Sequence, residues 1–193
     1  MGIDPAPFMV NGHLYKFEFD FQQEMTKKNY AVARSLNHTH RYIDDISPLN
    51  DKGNFDKYRE QIYPPELILL KQNNSIDSAS VLELQIDIVE EKFMTGIFDK
   101  RNEFPFEVCR YPSTKSNIPD STLYNVFYSQ LIRIYRVCNV LSSFEIATQE
   151  LFSRCINKGS TSKLLRNQIS KFFQRNSPFK FDISCNDFLT QIL

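Results

Sequence analysis

Leu82, Leu84, Ile86 and Ile88 alternate with Glu83, Gln85, Asp87 and Val89, the two-residue period of a strand with one buried face. Beyond Pro119 the period lengthens. Leu123, Val126, Phe127, Leu131, Ile134 and Val137 recur three and four apart, the stripe of an amphipathic helix. Such a change of period confines the chain to folds that segregate a sheet from helices, so the expected fold class is α+β. The expected division follows it: residues 1–118 form a mixed module and residues 119–193 an all-helical subdomain.

The remaining elements follow from the same patterns. Ala6 to about Tyr30 predicts a helix, with Asp4 as N-cap and Pro5 in the first helical position. Residues 33–47 predict a hairpin with arms Ala33–Leu36 and Arg41–Ile46. Asn54 caps a helix that runs to Tyr63 and stops at Pro64-Pro65. Strand-like runs follow at Glu66–Leu70, Val81–Val89 and Lys92–Phe98, with Glu90-Glu91 turning a hairpin over 81–99. Asp120 or Ser121 caps the first late helix, and two more are expected near 143–157 and 161–175.

Composition narrows the class. Hydrophobic residues make up 41%, charged 24% and aromatic 13% of 193 residues, which excludes a disordered tail, a collagen and a coiled coil. No apolar run reaches the roughly 18 residues of a membrane span, and no basic segment precedes an apolar one at the start. The expectation is an intracellular protein, cytoplasmic or nuclear, neither secreted nor membrane-bound. Cys109, Cys138, Cys155 and Cys185 lie far apart without a CxxC pair, so free thiols are expected rather than zinc. There is no Ser/His/Asp set, no Walker loop and no GxGxxG.

Net charge is zero, yet unevenly distributed. Residues 151–193 carry seven Lys/Arg against two acids, leaving sixteen against twenty-one in residues 1–150. No acid stands between Glu150 and Asp182, while Arg154, Lys158, Lys163, Arg166, Lys171, Arg175 and Lys180 recur every three to five residues. The stretch suits a polyanion partner, or is a solvated helix face.

Arg41-Tyr42-Ile43-Asp44-Asp45 carries the sharpest chemistry. Adjacent carboxylates flanked by apolar residues repel, and burial disfavours both charged forms. A divalent cation removes that conflict, and hard oxygen ligands suit Mg²⁺ shared with substrate phosphates. Read alone, such a pair at a loop end is usually a solvated cap.

Two linked blocks extend the reading. Met1-Gly2-Ile3-Asp4-Pro5-Ala6-Pro7-Phe8-Met9-Val10-Asn11, followed by Leu14-Tyr15 and Phe17-Glu18, resembles the block that opens the palm helix of reverse transcriptases. Tyr42-Ile43-Asp44-Asp45 stands where that family places its catalytic aromatic-x-Asp-Asp hairpin. Leu82-Glu83-Leu84 leading to Gly96-Ile97-Phe98-Asp99-Lys100-Arg101 is similar to the following hairpin of eukaryotic retroelements of the Penelope-like group. Ser116-Asn117-Ile118-Pro119 and Ser129-Gln130-Leu131-Ile132-Arg133 resemble their thumb-side block. The resemblance covers roughly residues 1–140.

The resemblance implies a partial palm followed by a thumb, hence a fragment of an RNA-directed DNA polymerase of a retrotransposon. Two Mg²⁺ ions, an RNA template, a DNA primer and deoxynucleotides are the implied cofactors and partners. Asp44 and Asp45 become the catalytic metal ligands, with Tyr42 packing on the primer end and Gly2 beside the nucleotide or template. Tyr42 is expected to share a face with Asp44. The strand carrying the family's first metal aspartate is expected upstream of Met1, so this chain alone is expected to be inactive. Lys163, Arg166, Lys171 and Arg175 would lie along the nucleic-acid backbone.

Lys71 is, by resemblance, a proton donor to pyrophosphate, and otherwise a solvated lysine. His38 and His40 share a strand face without a third ligand. Phe172-Phe173 would stack on bases or dock an apolar helix face. A non-catalytic nucleic-acid-binding module and an unrelated α+β interaction domain are the competing classes.

Overall fold

Pro5, rather than Asp4, occupies the N-cap of the first helix, α1 (Ala6–Lys28), one residue later than expected, and no side chain caps it. The computed structural model describes residues 5–71, 77–106, 108 and 111–192; Asp4, Gly2 and Cys109 lie outside them. Within them the chain is α+β, with seven α-helices and two small antiparallel sheets. The chain divides into two compact units, Met1–Asn73 and Asn74–Leu193, not at the expected 118/119 boundary.

In the first unit, Asn29 breaks α1 and starts α2 (Tyr30–Leu36), its side chain accepting from the Val32 amide at 3.3 Å. Ala33–Leu36 is therefore helical rather than a strand. Ala33 and Leu36, three apart, both turn inward, which a strand would not allow. The hairpin falls slightly later, as β1 (Thr39–Tyr42) and β2 (Asp45–Pro48), with Arg41 opposite Ile46 and Tyr42 opposite Asp45.

Helix α3 (Asn54–Ile62) is capped by Asp51, not by Asn54. The Asp51 carboxylate accepts from the amides of Gly53 (3.2 Å) and Phe55 (2.6 Å), while Asn54 turns its amide to Ser35. Leu14, Phe21, Met25, Ala33, Leu36, Phe55, Ile62 and Tyr63 form the core of this unit. The expected strand Glu66–Leu70 is absent. Pro64-Pro65 removes two amide donors, and Ile68 and Leu70 then stand exposed in irregular chain.

In the second unit the expected run 81–89 is broken. Strand β3 (Ser78–Val81) turns at Leu82-Glu83 into β4 (Leu84–Val89), and Glu90-Glu91 turns it into β5 (Lys92–Ile97). A two-residue turn preserves a two-residue period, so the alternation passes through Leu82 (φ 56°) unmarked. Both faces of β4 are partly covered near its start, rather than one face only. Asn139 closes the outer edge of β5: its Oδ1 accepts from the Thr95 amide at 2.8 Å, and its Nδ2 donates to the Phe93 carbonyl at 2.7 Å.

Three helices follow close to expectation: α4 (Asp120–Val137), α5 (Leu141–Asn157) and α6 (Ser162–Arg175). Pro119, not Asp120 or Ser121, takes the cap position of α4. A further helix, α7 (Cys185–Ile192), is too short to have announced itself by period. Phe127, Phe144, Phe172 and Phe188 are fully buried, and Tyr135, Phe173, Phe179 and Phe181 pack around them. Phe172 and Phe173 therefore belong to the core and have no face for a base.

Candidate functional site

Ile43 and Asp44 form the two-residue turn of the first hairpin. Ile43 stands at φ 56°, left-handed backbone that β-branched residues rarely enter. Strain of this kind persists only where surrounding contacts over-determine it. Arg41 supplies them. Its Nε donates to Glu18 Oε1 at 2.6 Å and its Nη2 to Oε2 at 3.3 Å, a two-pronged bond to α1. Its Nη1 donates to Asn11 Oδ1 at 2.6 Å and to the Ile43 carbonyl at 3.1 Å. Tyr63, just past α3, donates its hydroxyl to the same Glu18 Oε1 at 2.7 Å. Burial, that bond and the Glu18 charge hold the Tyr63 phenol well above its ordinary ionisation range.

The hairpin tip presents Asp44 and Asp45. Asp45 opens β2 directly opposite Tyr42, so Tyr42 shares a face with Asp45 rather than with Asp44. Tyr42 and both carboxylates are exposed, and neither acid makes a hydrogen bond or ion pair with another described residue. The burial conflict expected of the doublet is thus relieved by water. Among the described residues no three His, Cys, Asp or Glu side chains converge as a metal cage. Two adjacent carboxylates suit Mg²⁺ only as part of a shell completed by phosphate oxygens and water, which is how that ion is commonly held. His38 and His40 are exposed.

The basic residues separate into two groups. Arg154 pairs with Asp99 and Glu150, and Lys180 donates to the Tyr135 and Cys138 carbonyls at the end of α4. Of the other five, Lys158 is half-buried at the end of α5, while Lys163, Arg166, Lys171 and Arg175 are exposed on the side of α6 away from Leu165, Ile169 and Phe172, with no ion pair among the described residues. Lys171 and Arg175 each stand 5.8 Å from the ring centre of Tyr128. Lys71 is placed otherwise: it follows no strand and pairs with Asp56 at 3.0 Å.

A second charged cluster was not read from sequence. Asp99, 13% exposed, receives Arg101 from its own loop and Arg154 from α5, and Arg101 lies over Tyr111. Burial alone would raise the Asp99 carboxyl, but hydrogen bonds from Arg101 and Arg154 outweigh it and hold the group well below the usual carboxylate range. The cluster borders a cleft of about 240 Å³ whose guanidiniums (Arg101, Arg133, Arg154) are matched by Asp87, Asp99 and Glu150, so no net charge favours an anion there.

A depressed folded pKa contributes stability above the unfolded value and loses it as pH falls. The unfolding free energy from urea melts should therefore fall between about pH 5 and about pH 2, with about 2 kcal/mol of the loss due to Asp99. Asp99→Asn should flatten that slope, and an unchanged slope would remove Asp99 from the account. Burial pushes the thiols of Cys138 and Cys155 up to about 11, which keeps them protonated and unreactive.

No protein-family model, curated protein or solved structure matches the chain. No helix among the described residues is long and apolar enough to cross a membrane.

Proposed function

We propose that the chain carries part of a reverse transcriptase domain, a palm segment followed by a thumb. One observation carries the reading: the Tyr42–Asp45 hairpin has a strained two-residue turn, exposes two carboxylates at its tip, and is braced against α1 through Arg41 and Glu18. α1 and that hairpin carry two of the blocks on which the resemblance rests, and the brace joins them.

In the complete enzyme a primer 3′-hydroxyl attacks the α-phosphate of a deoxynucleotide on an RNA template, and pyrophosphate leaves. Asp44 and Asp45 would hold Mg²⁺, which supplies charge stabilisation to the attacking and leaving oxygens. Tyr42, exposed beside Asp45, offers a ring to the primer end. The four exposed cations of α6 would follow the nucleic-acid backbone.

With primer, RNA template and deoxynucleotide present, Mn²⁺ should broaden the NMR signals of Tyr42–Asp45 selectively, and Asp44→Asn with Asp45→Asn should abolish this. Broadening absent from the hairpin would defeat the polymerase reading.

The free basic face of α6 favours a second reading, a nucleic-acid-binding module without catalysis. Exchanging Lys163, Arg166, Lys171 and Arg175 for Gln should weaken duplex binding about tenfold or more and lower the log–log salt slope by about 3. Binding that survives the Asp double variant but not the α6 variant would select the second reading.

A further inference from the structure

α1 is apolar on two sides. Leu14, Phe21 and Met25 face α2 and α3, and that side is accounted for. Phe8, Gly12, Tyr15 and Phe19 lie four, three and four residues apart, a straight a/d seam on a different side of the helix. Phe8 is 82%, Tyr15 59% and Phe19 46% exposed, and the Tyr15 and Phe19 rings lie tilted against each other along the helix at 5.8 Å. Met9 adds exposed apolar surface next to the seam. An apolar stripe on a helix normally packs against another element.

The seam is complementary to itself. About a two-fold axis midway between His13 and Leu14, antiparallel copies place Phe8 opposite Phe19 and Gly12 opposite Tyr15. Each layer of such a pair then matches: two rings meet at each end, and at the centre a ring meets a position without a side chain. No atom lies within 4 Å of the point where a Gly12 Cβ would stand, so the space above it is open to the Tyr15 ring of a second copy. The three rings with Met9 offer about 500 Å² per copy, hence about 1,000 Å² for a pair, the lower bound of a specific interface.

We infer that the α1 seam is a homodimer contact, with a second copy of this chain lying antiparallel across Gly12. The small area sets a weak equilibrium, with a dissociation constant of about 10–100 µM.

Sedimentation equilibrium of the full chain from about 5 to about 500 µM should take the weight-average mass from one copy toward two. Gly12→Arg separates this contact from folding. Arginine is a far better helix former than glycine, so the thermal midpoint should hold or rise, while the side chain fills the Tyr15 socket and weakens dimerisation at least tenfold. Phe19→Asp should also give a monomer. A wild-type chain that stays monomeric throughout would overturn the inference. So would dimers of undiminished affinity from both variants. Retention of the monomer on phosphatidylcholine vesicles, lost with Phe19→Asp, would assign the seam to a lipid surface instead and equally overturn it.

Discussion

Replacing Arg41 with alanine is expected to destabilise the Met1–Asn73 unit by about 3 kcal/mol and to release the Asp44–Asp45 hairpin from α1. The Arg41 side chain is 11% exposed and donates to Glu18, Asn11 and the Ile43 carbonyl. Its loss leaves the Glu18 carboxylate largely enclosed, with only the Tyr63 hydroxyl, among the described residues, still donating to it. That uncompensated charge, more than the lost attraction, sets the size of the effect. The strained turn also loses the donor that holds its carbonyl, so Ile43 is free to relax.

Urea unfolding gives the stability, and amide exchange over Thr39–Ser47 reports the hairpin separately. Arg41→Lys should fall between wild type and alanine, because a lysine keeps the charge but cannot make the two-pronged bond. Tyr63→Phe removes one bond and should cost about 1 kcal/mol. Protection of the hairpin unchanged in Arg41→Ala would mean that the turn holds itself, and the brace would lose its place in the proposed site.

Sequence patterns revealed the elements whose signal is local and periodic. α4 shows its stripe at Leu123, Phe127, Leu131 and Ile134, and all four are buried. Where the pattern misled, a competing local rule had won. Ala33–Leu36 read as a strand arm because the Asn29 cap, which restarts the helix, interrupts no hydrophobic pattern. Leu82-Glu83 concealed a turn because two residues leave the alternation in phase. The division into units escaped because the sheet packs with helices from beyond Pro119, a choice that depends on shape rather than on period.

The candidate site divides in the same way. The Asp44-Asp45 doublet is visible as a motif, whereas its attachment is not: Glu18 and Tyr63 lie 23 and 45 residues away from their partners Arg41 and Glu18 in sequence. The seven late cations read as one basic run, yet Arg154 is committed to Asp99 and Lys180 to the carbonyls that end α4. Charge counting finds a polyanion face only after such internal partners are subtracted. The paired acid here, Asp99, sits 55 residues before Arg154.

Phe144→Ala carries the other large effect, an expected loss of about 3–5 kcal/mol from the Asn74–Leu193 unit. Phe144 has no exposed surface and holds the centre of a cluster of rings drawn from every late helix. Its centroid lies 5.9 Å from Tyr135 on α4, 6.2 Å from Phe172 on α6 and 5.0 Å from Phe188 on α7. Phe179 and Phe181, in the segment between α6 and α7, stand at 5.8 and 5.5 Å. Deleting the ring removes its transfer energy and leaves a cavity that rigid neighbouring rings fill poorly. α7 is only eight residues long and has little helical stability of its own, so it depends on the Phe188 contact to stay folded. Truncating the partly exposed Phe181 should cost less, about 1–2 kcal/mol, because water and nearby side chains can occupy the space. Urea melts followed by far-UV circular dichroism distinguish the two. A loss under about 1 kcal/mol for Phe144→Ala would mean that the rings do not act as one core. α6, with its four exposed cations, would then be held in place by something other than the aromatic cluster.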